Sequence, residues 1–428
     1  MACPDPLSAP VAAFTSATLS AGPVATGHVL EGHRSMSVHL DGNVAHSFRQ
    51  QPVHVPRSSL LEVSGEVLAD GRTKGPIQTM THRLALATLA ADQAMGQQVY
   101  EQELARRAPD ELGLQWEIHR VEVRTLRSPL PGNARLPSSM LSDGSPLLRR
   151  AAGRFIYRGH DVVHRFDLRL PPAPSPEVLT VHDVVSWRFA DEGQPPSDAA
   201  ATARRAEVVI CPSQFSADEV AAQLKVANVV AIPNGVNARF FESTPLPASG
   251  LEALGIREPF ILHAGGCTQR KNLTGLAAAW SQLRTSRSDT MLVLMGPPDV
   301  RRDRLFAPLP GTVRIGRVDD DLALGVMAAA SAIVVPSLYE GFGLPALEGM
   351  AIGVPVVASR RSSLPEVCGD AAYLVQPTAD GLAEGLTAAL DHGPDTVAMV
   401  ARGRRRAEQF TWEASAAAHA ALWRTYAR

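Results

Sequence analysis

The chain has 428 residues, 41 basic against 43 acidic side chains, a formal net charge of −2, and 45% hydrophobic against 20% charged residues. That balance is ordinary for a globular protein, and the length suits two or three domains of roughly 150 residues each. A broad electrostatic hold on nucleic acid is excluded, because phosphate binding needs a basic surplus, and no run of about 18 apolar residues is present to span a bilayer.

Cys3, Cys211, Cys267 and Cys368 are widely spaced and form no CxxC pair. This spacing supports neither a disulfide framework nor a zinc site, so a reducing, cytoplasmic location is the expectation. The opening stretch MACPDPLSAP lacks the basic and apolar regions of a secretory signal. Lys74, Lys225 and Lys271 are the only lysines among the basic residues. In so arginine-biased a composition, none of them is lysine by compositional default.

Residues 1–79 hold five of the 13 histidines and show no sustained period of 2 or 3.6. They read as a poorly ordered extension, with Met80 favoured as the physiological start over a small appended domain. From there strands and helices alternate. Strands are expected at Leu84–Leu89, Trp116–Val123, Asp161–Phe166, Val178–Val181, Glu207–Cys211 and Val229–Ile232, with a helix over Gly96–Arg107. Residues 243–250, rich in Pro and Ser, read as a linker.

A second alternation follows. Strands are expected at Phe260–Leu262, Met291–Met295, Thr312–Ile315, Ala332–Val335, Val354–Ala358 and Ala372–Val375, with a helix over Asn272–Arg284. Two βαβ series joined by a linker imply an α/β protein of two Rossmann-like, doubly wound parallel sheets, over 80–245 and 251–410, facing each other across a cleft. Over 411–428, Trp412, Ala416, His419, Trp423 and Tyr426 share one helical face. That stripe predicts a last helix packing back across both domains.

Chemistry concentrates in the second series. The string SLYEGFGLPALEGMAIGVPVVA begins just after the Ala332–Val335 strand, so its loop emerges at the carboxyl end of a parallel sheet, where α/β ligands bind. Gly341 and Gly343 permit close approach, and Pro345 suits the first position of a helix whose free amides point back at the loop. Glu340 in that loop and Glu348, placed in the helix's first turn, can both face one ligand. Ionised acceptors of this kind suit sugar hydroxyls. Upstream, FILHAGGCTQRKNL follows a strand with the Gly265-Gly266 turn, then Arg270 and Lys271 beside Asn272, a candidate helix N-cap. Two cations at such a helix start would neutralise a diphosphate leaving group. The plain alternatives are turn glycines with a capping glutamate, and a solvated basic pair.

With these residues in view, 80–426 resembles the retaining glycosyltransferases of family 4, which have the GT-B architecture. The matching strings are Glu340-Gly-Phe-Gly-Leu-Pro-Ala-Leu-Glu348, Gly265 through Lys271-Asn272, Gly353-Val-Pro-Val-Val-Ala358, Ser363-Leu-Pro-Glu-Val367 with Gly369-Asp370, and Val181-His182-Asp183. The resemblance implies that Arg270 and Lys271 hold the donor diphosphate beside Gly265 and Gly266, and that Glu348 binds the ribose. It implies too that Glu340 contacts the transferred sugar, with amides around Phe342, Gly343 and Leu344 on sugar and phosphate. Val318 would lie near the nucleobase, and His182 would reach the donor sugar across the cleft. Gly96 would mark the acceptor and phosphate loop, although Met95-Gly96-Gln97-Gln98 departs from the family's second small residue there.

The reaction so implied moves a hexose, with GDP-mannose the first donor and UDP-sugars the second, by front-face departure without a cofactor or metal. Asp183 is the nearest candidate for a nucleophile in the alternative, double-displacement route. The triplet Asp319-Asp320-Asp321 precedes an apparent helix and reads as a cap rather than a metal site. His164 and His263 read as structural. Arg149, Arg150, Arg154 and Arg158 suit either a solvated face or peripheral contact with the inner face of a membrane, and Arg402–Arg406 reads as solvated. A silent sugar-nucleotide-binding subunit, or another GT-B activity such as a sugar-nucleotide epimerase or a phosphorylase, are the competing functions. Lipid carrier, polysaccharide and secondary metabolite stay open as acceptors.

Overall fold

The computed structural model describes residues 81–91, 96–141, 144–174 and 176–427. The reading of 1–79 and of Met80 as the start falls outside them.

Seven strands form the first sheet: β1 (His82–Leu89), β2 (Trp116–Thr125), β3 (Ala134–Leu136), β4 (Val162–Arg165), β5 (Glu177–Thr180), β6 (Val208–Cys211) and β7 (Val229–Ala231), in the order β3-β2-β1-β4-β5-β6-β7. Six form the second: β8 (Phe260–Ala264), β9 (Met291–Met295), β10 (Thr312–Gly316), β11 (Ala332–Val335), β12 (Val356–Ser359) and β13 (Tyr373–Val375), in the order β10-β9-β8-β11-β12-β13. Every pairing is parallel. The reason is legible in β6 and β11, short apolar, β-branched-rich runs with all four residues buried. Strands covered on both faces carry continuous rather than alternating apolar residues. In each sheet the strand order reverses once, between β1 and β4 and between β8 and β11, and loops leaving the carboxyl ends there open a crevice.

Two elements escaped the periodicity reading. β3 has three residues of which Leu136 alone is buried. The helix Pro146–Ile156 keeps its apolar residues Leu147, Leu148 and Phe155 exposed. The expected 243–250 linker already contains the start of a short helix, Ala248–Ala253.

The last helix, Trp412–Tyr426, does not bridge the two domains as its stripe suggested. Its buried Trp412, Ala416, Ala420 and Trp423 form one core with Leu84, Tyr100, Val162, Val178 and Val208, all of the first domain. The chain therefore returns from the second sheet to complete the first. The second domain has its own cores on both faces of its sheet, one around Leu262, Ile333 and Leu347 and the other around Trp280, Leu294 and Leu386.

Direct bonds clasp the domains together. Glu366 accepts hydrogen bonds from the amides of Gln214 (2.8 Å) and Phe215 (3.0 Å), the first turn of the first-domain helix Gln214–Leu224. A carboxylate is favourable at that positive helix end. Ser213 and Ser216 donate to the Gly341 carbonyl at 2.6 and 2.8 Å. Within the second domain, Arg406 donates to the carbonyls of Val367 and Glu366, both at 2.6 Å, so the 402–406 run is not simply solvated.

Trp412 is 2% exposed, and truncating so large a buried side chain removes its transfer energy and leaves a cavity. Trp412→Ala should lower unfolding stability by about 3–5 kcal/mol, read by chemical denaturation.

Candidate functional site

The crevice between the sheets is a cleft of about 930 Å³. The first domain lines it with Gly96, Asp167, Arg169, His182 and Asp183, and the second with Gly265, Gly266, Arg270, Lys271, Val318, Glu340, Phe342, Gly343, Leu344 and Glu348. All twelve residues singled out from sequence thus border one space.

Glu340 is its electrostatic centre. The loop after β11 buries it to 6% exposure. Its Oε1 accepts from Lys271 Nζ and Ser337 Oγ, each at 2.6 Å, and its Oε2 from Arg270 Nη1 at 2.9 Å. Burial alone would push this carboxyl up, but Lys271 and Arg270 outweigh it and hold it down to about 2. Arg270 in turn donates from Nε to Glu192 of the first domain at 2.6 Å. Burial opposes the guanidinium's charge, yet Glu340 and Glu192 raise its pKa further. An ammonium has three donors and a guanidinium five, so neither cation is saturated by these carboxylates.

Local backbone shape sets this arrangement. Gly343 has φ +105°, and a side chain there would meet Leu364 Cδ2 at 2.7 Å. It caps the helix Leu344–Ile352, whose first residues Leu344 and Pro345 line the cleft. Gly341 comes so close to the first domain that a Cβ would lie 2.6 Å from the His182 carbonyl. Phe342 buries its ring in the second-domain core, edge-on to Phe410.

Several local expectations change. The helix begins at Leu344 rather than Pro345, which puts Glu348 in its second turn, one turn beyond Leu344 on the same side. Burial pushes the Glu348 carboxyl up to about 7. Asn272 occupies the cap position with φ 52° but its side chain does not cap; its amide donates to the carbonyls of Pro336 (3.0 Å) and Pro377 (2.9 Å). Those bonds tie the loop after β8 to the loops after β11 and β13. Asp319 accepts from Leu322 N at 2.9 Å as the cap of Asp320–Ala329.

His182 projects from the loop after β5. Its Nε2 is buried without a protein hydrogen-bond partner, and burial lowers its pKa to about 4, so the imidazole is neutral at pH 7. His263 sits beneath Gly265 and is likewise neutral, with burial lowering its pKa to about 3. Asp183 accepts from Val185 N at 3.1 Å, which ends the turn that presents His182. Gly96 opens the helix Gly96–Leu112 and lies against Leu344, its Cβ position 3.5 Å from Leu344 Cδ1. Met95, the departure noted beside it, lies outside the described residues. Arg149 is not part of a surface patch: it is fully buried and bonded to Asp198 at 3.0 Å.

Sequence reasoning missed Ser337, Glu192, Asp191 and Asn234. Asp191 accepts from Gln269 N at 2.9 Å and, with Glu192, reaches over from the first domain. Asn234 is 4% exposed, borders the cleft, and leaves its Oδ1 unpartnered. Asn234 comes just after the strand expected at Val229–Ile232, and nothing local shows that it faces the cleft.

Two family models divide the described chain. "Glycosyltransferase Family 4" matches residues 82–240 and "Glycosyl transferases group 1" matches 258–392. Among curated proteins, the O-antigen chain mannosyltransferase B of Escherichia coli is 33% identical over 224 residues, 49% of this chain and 58% of that protein. The MMP alpha-(1->4)-mannosyltransferase of Mycolicibacterium hassiacum is 33% identical over 233 residues, 52% and 54% of the two chains. The chain thus spans little more than half the length of these relatives. Among solved structures, a sucrose-phosphate synthase from Thermosynechococcus elongatus superposes with a TM-score of 0.64 at 23% identity, covering 80% of this chain and 98% of that one. Anabaena HepE in complex with UDP and glucose gives 0.62 at 15% identity, covering 80% and 100%. The fold is GT-B.

The raised Glu348 pKa has a consequence for stability. The folded state holds this proton more tightly than the unfolded chain, so stability falls as pH rises from about 4.5 to about 7. Glu348→Gln should flatten that part of the profile and raise the melting temperature above neutral pH, measured by thermal melts without ligand.

Proposed function

Because the chain belongs to the family 4 glycosyltransferases, we propose that it moves a hexose, mannose foremost, from a nucleotide-diphosphate sugar to an acceptor hydroxyl with retention of configuration. The carrying observation is the convergence on one cleft of the Arg270–Lys271 pair, Glu348 and His182. The mannosyl preference, with GDP-mannose as first donor, draws on the mannosyltransferases that resemble the chain. A UDP-sugar is the second candidate.

In this reading the diphosphate lies against Arg270, Lys271, the Gly265-Gly266 turn and the amides at Gly343 and Leu344. Fixed cations and helix amides stabilise charge that grows on the leaving group without reorganising. Glu348 takes the ribose hydroxyls and the Val318 backbone borders the base. Glu340 holds both cations in place at the edge of the transferred sugar, and neutral His182 offers it a hydrogen bond from the opposite wall. The C1–phosphate oxygen bond breaks as the acceptor oxygen bonds to C1 on the same face. The acceptor's proton passes to a departing phosphate oxygen. Asp183 already serves the Val185 amide and lies under Gly341, which favours this route over a carboxylate nucleophile. No metal enters the scheme: two side-chain cations meet the diphosphate, and Asp319 is committed to its helix cap.

The acceptor enters beside Gly96. We assign it a membrane-proximal setting, because the helix Pro146–Ile156 exposes Leu147 (75%), Leu148 (54%) and Phe155 (82%), flanked by exposed Arg150, Arg154 and Arg158. An apolar strip edged with arginine suits an anionic bilayer surface. Among the described residues no helix is long and apolar enough to cross a membrane.

A donor at 100 times its dissociation constant should stabilise the protein by about 2.7 kcal/mol. GDP-mannose is therefore expected to raise the melting temperature. Lys271→Ala and Glu348→Ala should each shrink that rise, and parental shifts in both variants would remove the site assignment. His182→Ala should keep the shift while slowing donor turnover about 10- to 100-fold, read as GDP release. For the bilayer, co-sedimentation with phosphatidylglycerol vesicles should fall several-fold in Phe155→Asp, and unchanged recovery would discard the membrane setting.

A further inference from the structure

The first domain contains a chain of buried hydrogen bonds that the chemistry above does not use. Trp423 Nε1 lies 3.2 Å from His164 Nδ1, His164 Nε2 lies 2.8 Å from Thr180 Oγ1, and Thr180 Oγ1 lies 3.0 Å from Tyr100 Oη. Tyr100 Oη is 2.7 Å from His419 Nε2, and His419 Nδ1 is 2.7 Å from the Ser415 carbonyl. The path leaves the last helix at Trp423, crosses β4, β5 and the helix Gly96–Leu112, and returns to the last helix at His419. Trp423, His164 and His419 are 0% exposed, and Thr180 and Tyr100 are 1% exposed.

With both histidines neutral, its proton positions follow from its ends. An indole N–H can only donate and a backbone carbonyl can only accept. His164 must therefore accept at Nδ1 and donate from Nε2 to Thr180. Thr180 then donates to Tyr100, Tyr100 to His419 Nε2, and His419 Nδ1–H to Ser415. Each histidine is a neutral, single tautomer, in keeping with burial that lowers the pKa of both. A proton on His164 Nδ1 would face the Trp423 N–H, and the other neutral tautomer of His419 would set its Nδ1 lone pair against the Ser415 carbonyl; either leaves a buried polar group unpaired, at the cost of its desolvation.

This chain of bonds lies directly behind the cleft. Thr180 ends β5 two residues before His182, and Tyr100 is four residues from Gly96. The Tyr100 ring meets the His182 ring edge to face, centroids 4.9 Å apart and planes at 83°. His182 Nε2 has no hydrogen bond to hold it, so its orientation depends on what its ring rests against. A ring without a polar tether at a reacting centre must be located by packing, and that packing must itself be rigid.

We propose that Tyr100 and His419 are positioning residues for His182: the last helix, through His419, fixes the tyrosine hydroxyl, and the tyrosine ring fixes the imidazole that faces the donor sugar. The inference rests on the reading of His182 given under Proposed function. It assigns the C-terminal helix a part in the reaction besides completing a core.

The test uses the full chain with ¹⁵N-labelled histidine, His182 being assigned by the signals lost in His182→Ala, and GDP release from GDP-mannose. Tyr100→Phe keeps the ring but removes the tether, His419→Leu removes the acceptor, and His419→Gln keeps an acceptor near the Nε2 position. Tyr100→Phe and His419→Leu should move or broaden the His182 ring signals and cut turnover about tenfold, with the donor KM within about twofold of the parent. His419→Gln should retain both signals and turnover. His182 signals unchanged in Tyr100→Phe and His419→Leu would overturn the proposal, whatever happens to melting temperature, because the chain of bonds would then be structural alone. Should Tyr100→Phe fail to fold, the two His419 variants decide. Parental turnover in His182→Ala would defeat the catalytic reading of His182, while the ring signals would still report whether Tyr100 and His419 orient it.

Discussion

One buried carboxylate organises the cleft. Glu340 is enclosed by Lys271, Arg270 and Ser337 at hydrogen-bond distances of 2.6 to 2.9 Å. Removing any of these charges from water is costly, and only close pairing with satisfied hydrogen bonds offsets the cost. The pairing therefore locks the loop after β8 onto the loop after β11, and Asn272 adds neutral bonds to the carbonyls of Pro336 and Pro377. Because Arg270 also bonds Glu192, the same cluster reaches the first domain. The two domains meet over a site whose cations are held by carboxylates yet keep donors to spare.

The two walls differ in electrical character. On the second-domain wall, ionised groups stand close together, and their fields lower the Glu340 pKa while raising that of Arg270. On the first-domain wall, His182 and the nearby His164 and His419 are buried away from any compensating anion strong enough to keep them charged, and all three have lowered pKa values. Fixed cations suit an anionic group, whereas the patch around His182 is neutral, with Asp167, Arg169 and Asp183 elsewhere on the same wall. The difference arises from burial beside cations in one case and burial within an aromatic cluster of Tyr100, Phe166 and Trp412 in the other.

Much of the fold was legible because parallel strands buried on both faces leave compact β-branched runs between turn residues. Met291–Met295 and Ala332–Val335 have the bounds expected of them. β3 was not legible, since three residues with one buried side chain carry no period. The stripe on the last helix was readable, but its partner was not. Amphipathicity says that a face must be covered and leaves open by what. Asn272 misled for a related reason: a residue type favoured at caps was drawn instead to two carbonyls brought near it by β11 and β13.

What the sequence determined by itself was the alternation of elements, the loops at the carboxyl ends of β8 and β11, and the residue types there suited to phosphate and sugar hydroxyls. These are local properties, set by spacing along the chain. Only the tertiary structure decided that Arg270 leans on Glu192, that Arg149 turns inward to Asp198, and that a helix 319 positions further along the chain supports Tyr100. Such contacts join segments whose separation in sequence carries no information about their distance in space. They exist because charge and polar groups enclosed by folding must find partners wherever the backbone brings them.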